Sequence, residues 1–373
     1  MRKNNLLNRF IVLFTLLLFI SSACVNKKIV VTALIKNEVG APANGLKSNL
    51  QSKDKFIASQ GFKHTTTKEN GELKLKVKPK QSYILEIEGE EGVGRVFLSP
   101  EKFSDTIRIT YPVQEKIVFL HNNDLHFDLN NLEEFTRKVN EIGEQYDDVY
   151  LFNAGDIFVR HAHRWIENEI LKDSAWYYER AKLMINEMNK LDFDLVTLGN
   201  HELDYVGNYT RLALEEADFS LLAANIEILT DKLPSVDPYS ILETSTLRHI
   251  AVLGLSRDNA KKEGVVELDV NETINKYNYL NDDADAFLVL SHRGLKEDKS
   301  IAELFPQIDA IIGGHTHNLL EKGLFVDSVL ISQAGGNPHK VSKEHPAYLG
   351  IMIFTLKNGE IAEKESKVIK IGD

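Results

Sequence analysis

Two hydrophobic patterns divide the chain. From about Lys28 to Val113 apolar and polar residues alternate. Leu73, Leu75 and Val77 are separated by lysines; Tyr83, Leu85 and Ile87 repeat the spacing, as do Ile107, Ile109 and Tyr111. A period of two describes strands with one face inside. Asn70-Gly71, just before the Leu73 run, carries a hairpin-type turn signal. This stretch of roughly 85 residues is expected to form a small antiparallel β-sandwich, within the usual domain range. From residue 116 onward the apolar residues come in short runs, at 116–120, 149–152, 195–198, 287–290, 308–312 and 329–332. Between runs the spacing becomes helical: Leu132, Phe135, Val139 and Ile142 recur every three or four residues, and residues 176–191 suggest another helix. Alternating strands and helices predict an α/β (α+β) fold, a layered α/β/β/α domain preceded by the small all-β sandwich.

The first residues fit neither pattern. Arg2, Lys3 and Arg9 lead into an apolar run at 10–20, then Ser21-Ser22-Ala23-Cys24. A basic start, a short apolar stretch and small residues describe a signal peptide. Cys24 is the single cysteine of the 373 residues. Its setting resembles a bacterial lipobox, in which the cysteine becomes the lipidated first residue; Ser21 stands where that pattern prefers an aliphatic residue. The alternative is an ordinary signal peptide with a chance cysteine. The expected organisation is a lipoprotein signal peptide at 1–23, the β-sandwich at 24–114 and a catalytic domain at 115–373. The expected location is the cell envelope, with the chain anchored to a membrane through lipid on Cys24. Removing 1–23 takes away three basic residues and no acid, so the formal charge falls from −11 to −14. That balance argues against a nucleic-acid polymer as partner. Bound cations would reverse the local sign for a small phosphorylated one.

Each apolar run ends in a block of polar, chemistry-bearing residues. Asn-Asn-Asp124-Leu-His126, Gly155-Asp156, Gly199-Asn200-His201-Glu202, Ser291-His292 and Gly313-Gly314-His315-Thr-His317 all stand in such places. In an open α/β sheet the carboxyl ends of strands line one crevice. Seven ligand-type side chains would meet there, the supply a two-metal hydrolytic site needs. Alone, Gly-Asp is usually a turn, His-x-His is usually surface or core, and Asn-His-Glu usually caps a helix.

In this order and spacing the blocks resemble the calcineurin-like metallophosphoesterase superfamily, and in finer detail its bacterial 5′-nucleotidase family. Asn-Asp-Leu-His, Gly-Asn-His-Glu-Leu-Asp204, Ala224-Asn225-Ile226, Ser-His-Arg-Gly294, Ile-Ile-Gly-Gly-His-Thr-His and Gln-Ala-Gly-Gly all recur there. The resemblance covers about residues 116–336. It implies two divalent metal ions (Mn, Zn, Fe or Co), one on Asp124, His126, Asp156 and His317, the other on Asp156, Asn200, His292 and His315, with Asp156 bridging. It assigns His201 to transition-state stabilisation or leaving-group protonation, with Asp204 orienting its imidazole. The reaction implied is hydrolysis of phosphate esters, nucleotide 5′-monophosphates foremost, by metal-activated water. The front domain resembles the carboxypeptidase-regulatory-like family through its Thr67–Leu73 and Ser82–Ile87 stretches, which implies a spacer or adhesion module.

Two departures bear on substrate. Where the family carries glycine four residues after the bridging aspartate, this chain has Arg160, then His161-Ala-His163. Arg160 and His161 are candidate substrate-binding residues at the cleft rim, the alternative being a solvated loop. The family's C-terminal nucleoside-binding domain has no counterpart before Asp373, so a separate nucleotide-binding chain is an expected partner, or recognition is mainly through phosphate. Of the other histidines, His121, His249 and His345 read as structural or solvated, and His339 as a weak pocket candidate. Two further readings remain open: a phosphodiesterase or pyrophosphatase acting on cyclic nucleotides or nucleotide sugars, and a non-catalytic envelope lipoprotein that binds a nucleotide-binding chain.

Overall fold

The structure is a computed structural model. It describes residues 28–56, 65–104, 106–129, 131–159, 174–259, 261–336 and 347–372. Cys24, Arg160, His161, His163, His339 and His345 lie outside the described residues. The chain divides into two compact units: residues 1–115 with 357–360, and residues 116–356 with 361–373.

The first unit has two sheets around one core. Strands Glu72–Val77, Ile29–Asn37 and Ile107–Tyr111 form one; Thr65–Thr66, Lys47–Ser52, Tyr83–Gly89 and Gly92–Leu98 form the other. The alternation read from the sequence is what fills the space between them: Leu73, Leu75, Val77, Leu85 and Ile87 share a cluster with Val31, Ala33 and Ile35. Two details differ from the expectation. Ile29–Asn37 pairs in parallel with Ile107–Tyr111, so the sandwich is not wholly antiparallel. The Asn70-Gly71 turn joins strands of different sheets instead of making a hairpin, because the strands on either side of it pair with different partners. Gly71 sits at φ +75°, a left-handed conformation that glycine adopts without penalty.

The second unit shows why the later apolar positions come in runs. Its two six-stranded sheets lie face to face with helices on the outer sides. One runs Ser220–Leu222, Leu195–Thr197, Asp148–Asn153, Gln114–Asn122, Ala347–Lys357, Glu360–Ile371; the other runs Tyr239–Glu243, His249–Leu255, Ala286–Ser291, Ala310–Gly313, Val329–Gln333, Leu324–Val326. Successive side chains of a strand point to opposite faces. Ile117, Phe119, Phe152, Ile250, Val252, Leu288, Leu290, Ala310 and Ile312 therefore meet between the sheets. Their neighbours Val118 and Leu120 pack outward onto the helices Leu132–Gly143 and Ser174–Lys190 through Phe135, Met184 and Met188. On the other side Ala251, Leu253, Phe287, Val289 and Ile311 meet Ile274, Ile301 and Ala302 from Val270–Lys276 and Leu295–Leu304. Both faces of the inner strands are buried, so periodicity two disappears from the sequence. The layers are α/β/β/α.

Parallel strands need their register fixed at the entry. Three aspartates, each standing one residue before a strand, do this in the same way. Asp194 donates its N–H to the Leu151 carbonyl and accepts the Leu151 N–H at 2.7 Å. Asp285 does so with His249 and Asp309 with Phe287. Each carboxylate replaces the backbone carbonyl that the ladder lacks at its first rung.

Burial pushes the Asp194 carboxyl up to about 6. A raised folded-state value means the charged form costs stability above that pH, and the cost is relieved as pH falls from about 6 toward the value of the unfolded chain. Asp194→Asn keeps an oxygen for the Leu151 N–H and removes the charge. It is expected to be more stable than the parent at pH 7.5 and to lose that advantage as the pH approaches about 4, as read from urea midpoints at the two pH values.

Candidate metal centre

The strand ends of the second unit deliver the chemistry. Asp124 and His126 come after Gln114–Asn122, Asp156 after Asp148–Asn153, Asn200 after Leu195–Thr197, His292 after Ala286–Ser291, and His315 and His317 after Ala310–Gly313. Asp124, His126, Asp156, Asn200 and His292 are buried; His315 and His317 are partly exposed. Three overlapping groups of donor atoms result: Asp124, His126 and His317; Asp156, His292 and His315; and His126, Asp156 and His201. All seven predicted ligands thus stand at the carboxyl ends of neighbouring strands. Asn200 alone is outside these groups, its amide oxygen being of a different donor type.

The two ends of His315-x-His317 do not project as alternate residues of a strand. The strand stops at Gly313, and the histidines sit in the turn beyond it at φ 72° and 51°. One goes to each donor group. Asp124, His126 and Asp156 also have positive φ, at 53°, 50° and 56°. A left-handed conformation at a non-glycine residue costs roughly 1–2 kcal/mol. Five such residues persist because hydrogen bonds between the loops hold them. Asp124 N–H donates to Gly155 O and His126 N–H to Asp156 O, while His315 N–H reaches Asp124 Oδ2 at 2.9 Å.

The glycines leave room for these side chains. A methyl group on Gly155 would lie 2.6 Å from His292 Nδ1, and one on Gly314 would lie 3.0 Å from the same atom. On Gly199 it would overlap the Asp156 carboxylate and backbone nitrogen. Gly313 faces the buried Asp298, whose other oxygen accepts the Ser291 hydroxyl.

Ring orientation obeys one rule. His126 and His201 each place Nδ1 on the Phe158 carbonyl, at 3.2 and 3.0 Å, and His292 places Nδ1 on the Ala154 carbonyl at 2.6 Å. A carbonyl only accepts, so each Nδ1 carries the proton and each Nε2 is left for the interior. His126 Nε2 lies 3.3 Å from His317 Nε2, and His292 Nε2 lies 3.2 Å from Asp156 Oδ2. Lone pairs facing one another at such distances repel unless a positive charge stands among them. Burial raises a carboxyl, yet His292 and His201 hold Asp156 well below the usual carboxylate range. Burial works against a charged His292, but Asp156 and Asp124 push it up to about 10. Asn200 Oδ1 is buried without a hydrogen-bond partner, while Asp124 Oδ1 faces His317 Nε2 at 3.1 Å as His292 Nε2 faces Asp156. Divalent cations fit this donor set of buried carboxylate, amide oxygen and imidazole.

Asp156 uses its oxygens unequally. Oδ1 accepts the His201 N–H at 2.9 Å, whereas Oδ2 faces both His292 Nε2 and His201 Nε2, the latter at 3.6 Å. Oδ2 is therefore the oxygen turned toward the cluster. The role read for Asp204 also shifts. His201 Nδ1 is taken by the Phe158 carbonyl, and Asp204 Oδ1 pairs with Lys262 Nζ at 3.0 Å. Asp204 ties the His201 loop to the Lys262 loop instead of gripping the imidazole. Among the remaining histidines, His121 is buried against Ser332 Oγ at 2.8 Å, with its value lowered by burial to about 3, and His249 is exposed beside Glu243. Sequence reasoning missed Glu202, which accepts hydrogen bonds from three backbone N–H groups of these loops. Its only signal was its place three residues after Gly199.

Because Gly199 has no space for a side chain, Gly199→Ala should fold and lose affinity for Mn(II) by roughly 10–100-fold, the range seen when groups supporting metal ligands are disturbed. Calorimetric titration would measure this, and wild-type affinity in the variant would show that the Gly199 contact is not needed.

Comparison with known proteins agrees with this geometry. Residues 117–319, more than half of the chain, match the model of the calcineurin-like phosphoesterase family. The metallophosphoesterase YunD of Bacillus subtilis (strain 168) is 28% identical over 239 residues, which is 61% of this chain and 49% of that protein. The 2′,3′-cyclic-nucleotide 2′-phosphodiesterase/3′-nucleotidase of Haemophilus influenzae is 24% identical over 268 residues, 60% of this chain and 41% of that one. The crystal structure of a 5′-nucleotidase precursor from Thermus thermophilus has the same fold over 69% of this chain and 54% of its own, with a TM-score of 0.53 at 20% identity. The chain spans about half or less of the length of the Bacillus and Haemophilus relatives. With its matched region enclosing every strand-end ligand from Asp124 to His317, the chain belongs to the calcineurin-like phosphoesterase family, whose members use divalent metals.

Proposed function

We propose that this chain hydrolyses phosphate esters at a two-metal centre, with nucleotides, 5′-monophosphates foremost, as the preferred class. The observation that carries the reading is the convergence of Asp124, Asp156 and the imidazoles of His126, His292, His315 and His317, with the buried amide oxygen of Asn200 left without a hydrogen-bond partner at the neighbouring strand end. One metal would be held by Asp124, His126, Asp156 and His317, the other by Asp156, Asn200, His292 and His315. Bound divalent ions supply Lewis acidity toward phosphoryl oxygens and a nucleophilic water near neutral pH. The protein's own groups do the rest. Asn200 contributes a neutral oxygen, which limits the negative charge of the site. His201 presents Nε2 beside Asp156 Oδ2 and is the group placed to meet the leaving oxygen. With its Nδ1 proton committed to Phe158, it gives up a proton from Nε2 only when both ring nitrogens are protonated.

A second reading, diester hydrolysis, draws support from the printed activity of the Haemophilus influenzae relative. Metal-dependent turnover would be measured as phosphate release from 5′-nucleotides and an aryl phosphate, as release of the aryl alcohol from a bis-aryl phosphodiester, and as ring opening of a 2′,3′-cyclic nucleotide to the monophosphate. The expected result is release from monoesters in Mn, Zn, Fe or Co and none after chelation; faster turnover of the diesters would favour the second reading, and inertness toward all of them would refute both. His201→Ala should keep its metals and lose turnover by ~10²–10⁴-fold.

The same proposal places the chain at a membrane, through lipid on Cys24. Its support is the basic start, the apolar run at 10–20 and Ser22-Ala23-Cys24. Among the described residues no helix is long and apolar enough to cross a bilayer. Cys24→Ser, expressed from the full chain in a bacterial host, should move from the detergent-extracted fraction to the soluble one. Unchanged fractionation would count against the anchor.

A further inference from the structure

Glu202 is a buried carboxylate of the crevice that the two-metal reading leaves without a task. It is fully buried. Its Oε2 accepts the N–H of Asp156 at 3.0 Å and of Gly199 at 2.8 Å, and its Oε1 accepts the N–H of Phe158 at 2.9 Å. The Gly199 bond is ordinary; a glutamate three residues into a helix often returns to the N-terminal amide. The other two cross to a different strand end and have nothing to do with capping a four-residue helix. They hold both sides of the turn that carries Asp156. Phe158 then passes this constraint on, because the carbonyl of the same residue accepts Nδ1–H from both His126 and His201. The phenyl ring of Phe158, meanwhile, is buried against Phe127 and Tyr177.

We propose that Glu202 is a positioning residue which, by anchoring the Phe158 backbone, fixes the tautomer and ring direction of a metal-ligating histidine, His126, and of the histidine placed at the leaving group, His201, together. One carboxylate would so couple metal binding to proton delivery. The inference deepens the two-metal reading and rests on it for the roles of the histidines, but its orienting part holds for the metal-free protein.

Glu202→Gln separates the bonds. Its single amide oxygen can retain the pair of amides at Oε2, and its NH2 then confronts the Phe158 N–H, donor against donor. His292 serves as an internal control, since its Nδ1 rests on the Ala154 carbonyl, which Glu202 does not touch. Nitrogen-15 spectra of the histidines in the metal-free full chain would be recorded for both proteins. In the parent, His126, His201 and His292 should each hold a proton on Nδ1, with Nε2 of His292 protonated as well beside Asp156. In Glu202→Gln, His126 and His201 should lose the fixed Nδ1 proton while His292 keeps its Nδ1 proton on Ala154, and Mn(II) titration should show one site weakened roughly 10–100-fold with the other near the parent value. Three unchanged histidines with two parent-like sites would overturn the proposal, as would disturbance of all three, which is what general loosening produces. If Glu202→Gln does not fold, amide exchange in the parent decides. Asp156, Phe158 and Gly199 amides exchanging slowly and together support the anchor; a Phe158 amide that exchanges like open loop contradicts it. Failure to hydrolyse any phosphate ester would sink the enzymatic reading while leaving the tautomer result intact, so the two failures are distinguishable.

Discussion

A buried carboxylate surrounded by imidazoles sets the terms for this molecule. Asp156 Oδ2 faces His292 and His201 at hydrogen-bond or near hydrogen-bond range, with no water-exposed route for its charge. Removing a charge from water is costly unless partners replace the solvent. Here the partners are histidines whose Nδ1 protons are already committed to backbone carbonyls, so what they offer inward is Nε2. The arrangement calls for cations, and the rest of the catalytic unit can be understood as the means of holding it.

That holding is done by backbone. Five ligand residues adopt left-handed conformations that side chains disfavour, and the loops bearing them are bonded crosswise: Asp124 to Gly155, His126 to Asp156, His315 to Asp124. Strain of this kind persists where the surroundings over-determine it. The surroundings are two sheets whose inner strands are apolar on both faces, with Ile117, Phe119, Leu288, Leu290 and Ile312 filling the space directly beneath the loops. Entry aspartates such as Asp309 fix each parallel strand against its neighbour, so the far ends arrive in register.

Much of this was legible in the sequence, and the reasons are physical. Short apolar runs mark strands buried on both sides, and polar blocks at their ends mark a crevice; that gave the layered fold and brought Asp124, His126, Asp156, Asn200, His292, His315 and His317 to one set of strand ends. The alternating front segment gave a sandwich, but strand direction has no signature in side-chain period, so the parallel pairing of Ile29–Asn37 with Ile107–Tyr111 was invisible. Backbone acceptors leave no mark either: nothing in the residue types at 154 and 158 says that their carbonyls orient three histidines. Asp204 was assigned to His201 through the family resemblance, whereas Lys262, remote in sequence, takes its oxygen. The entry aspartates did carry a signal, an acid directly before an apolar run at 194, 285 and 309.

The central claim is that two metals share this crevice with Asp156 between them. Electron paramagnetic resonance of the full chain titrated with Mn(II) tests it most directly, since ions about 3.5–4 Å apart couple magnetically. The account predicts two Mn(II) per chain at saturation and an exchange-coupled spectrum that Asp156→Asn reduces to that of isolated ions. A single uncoupled Mn(II) per chain, or none, would contradict it.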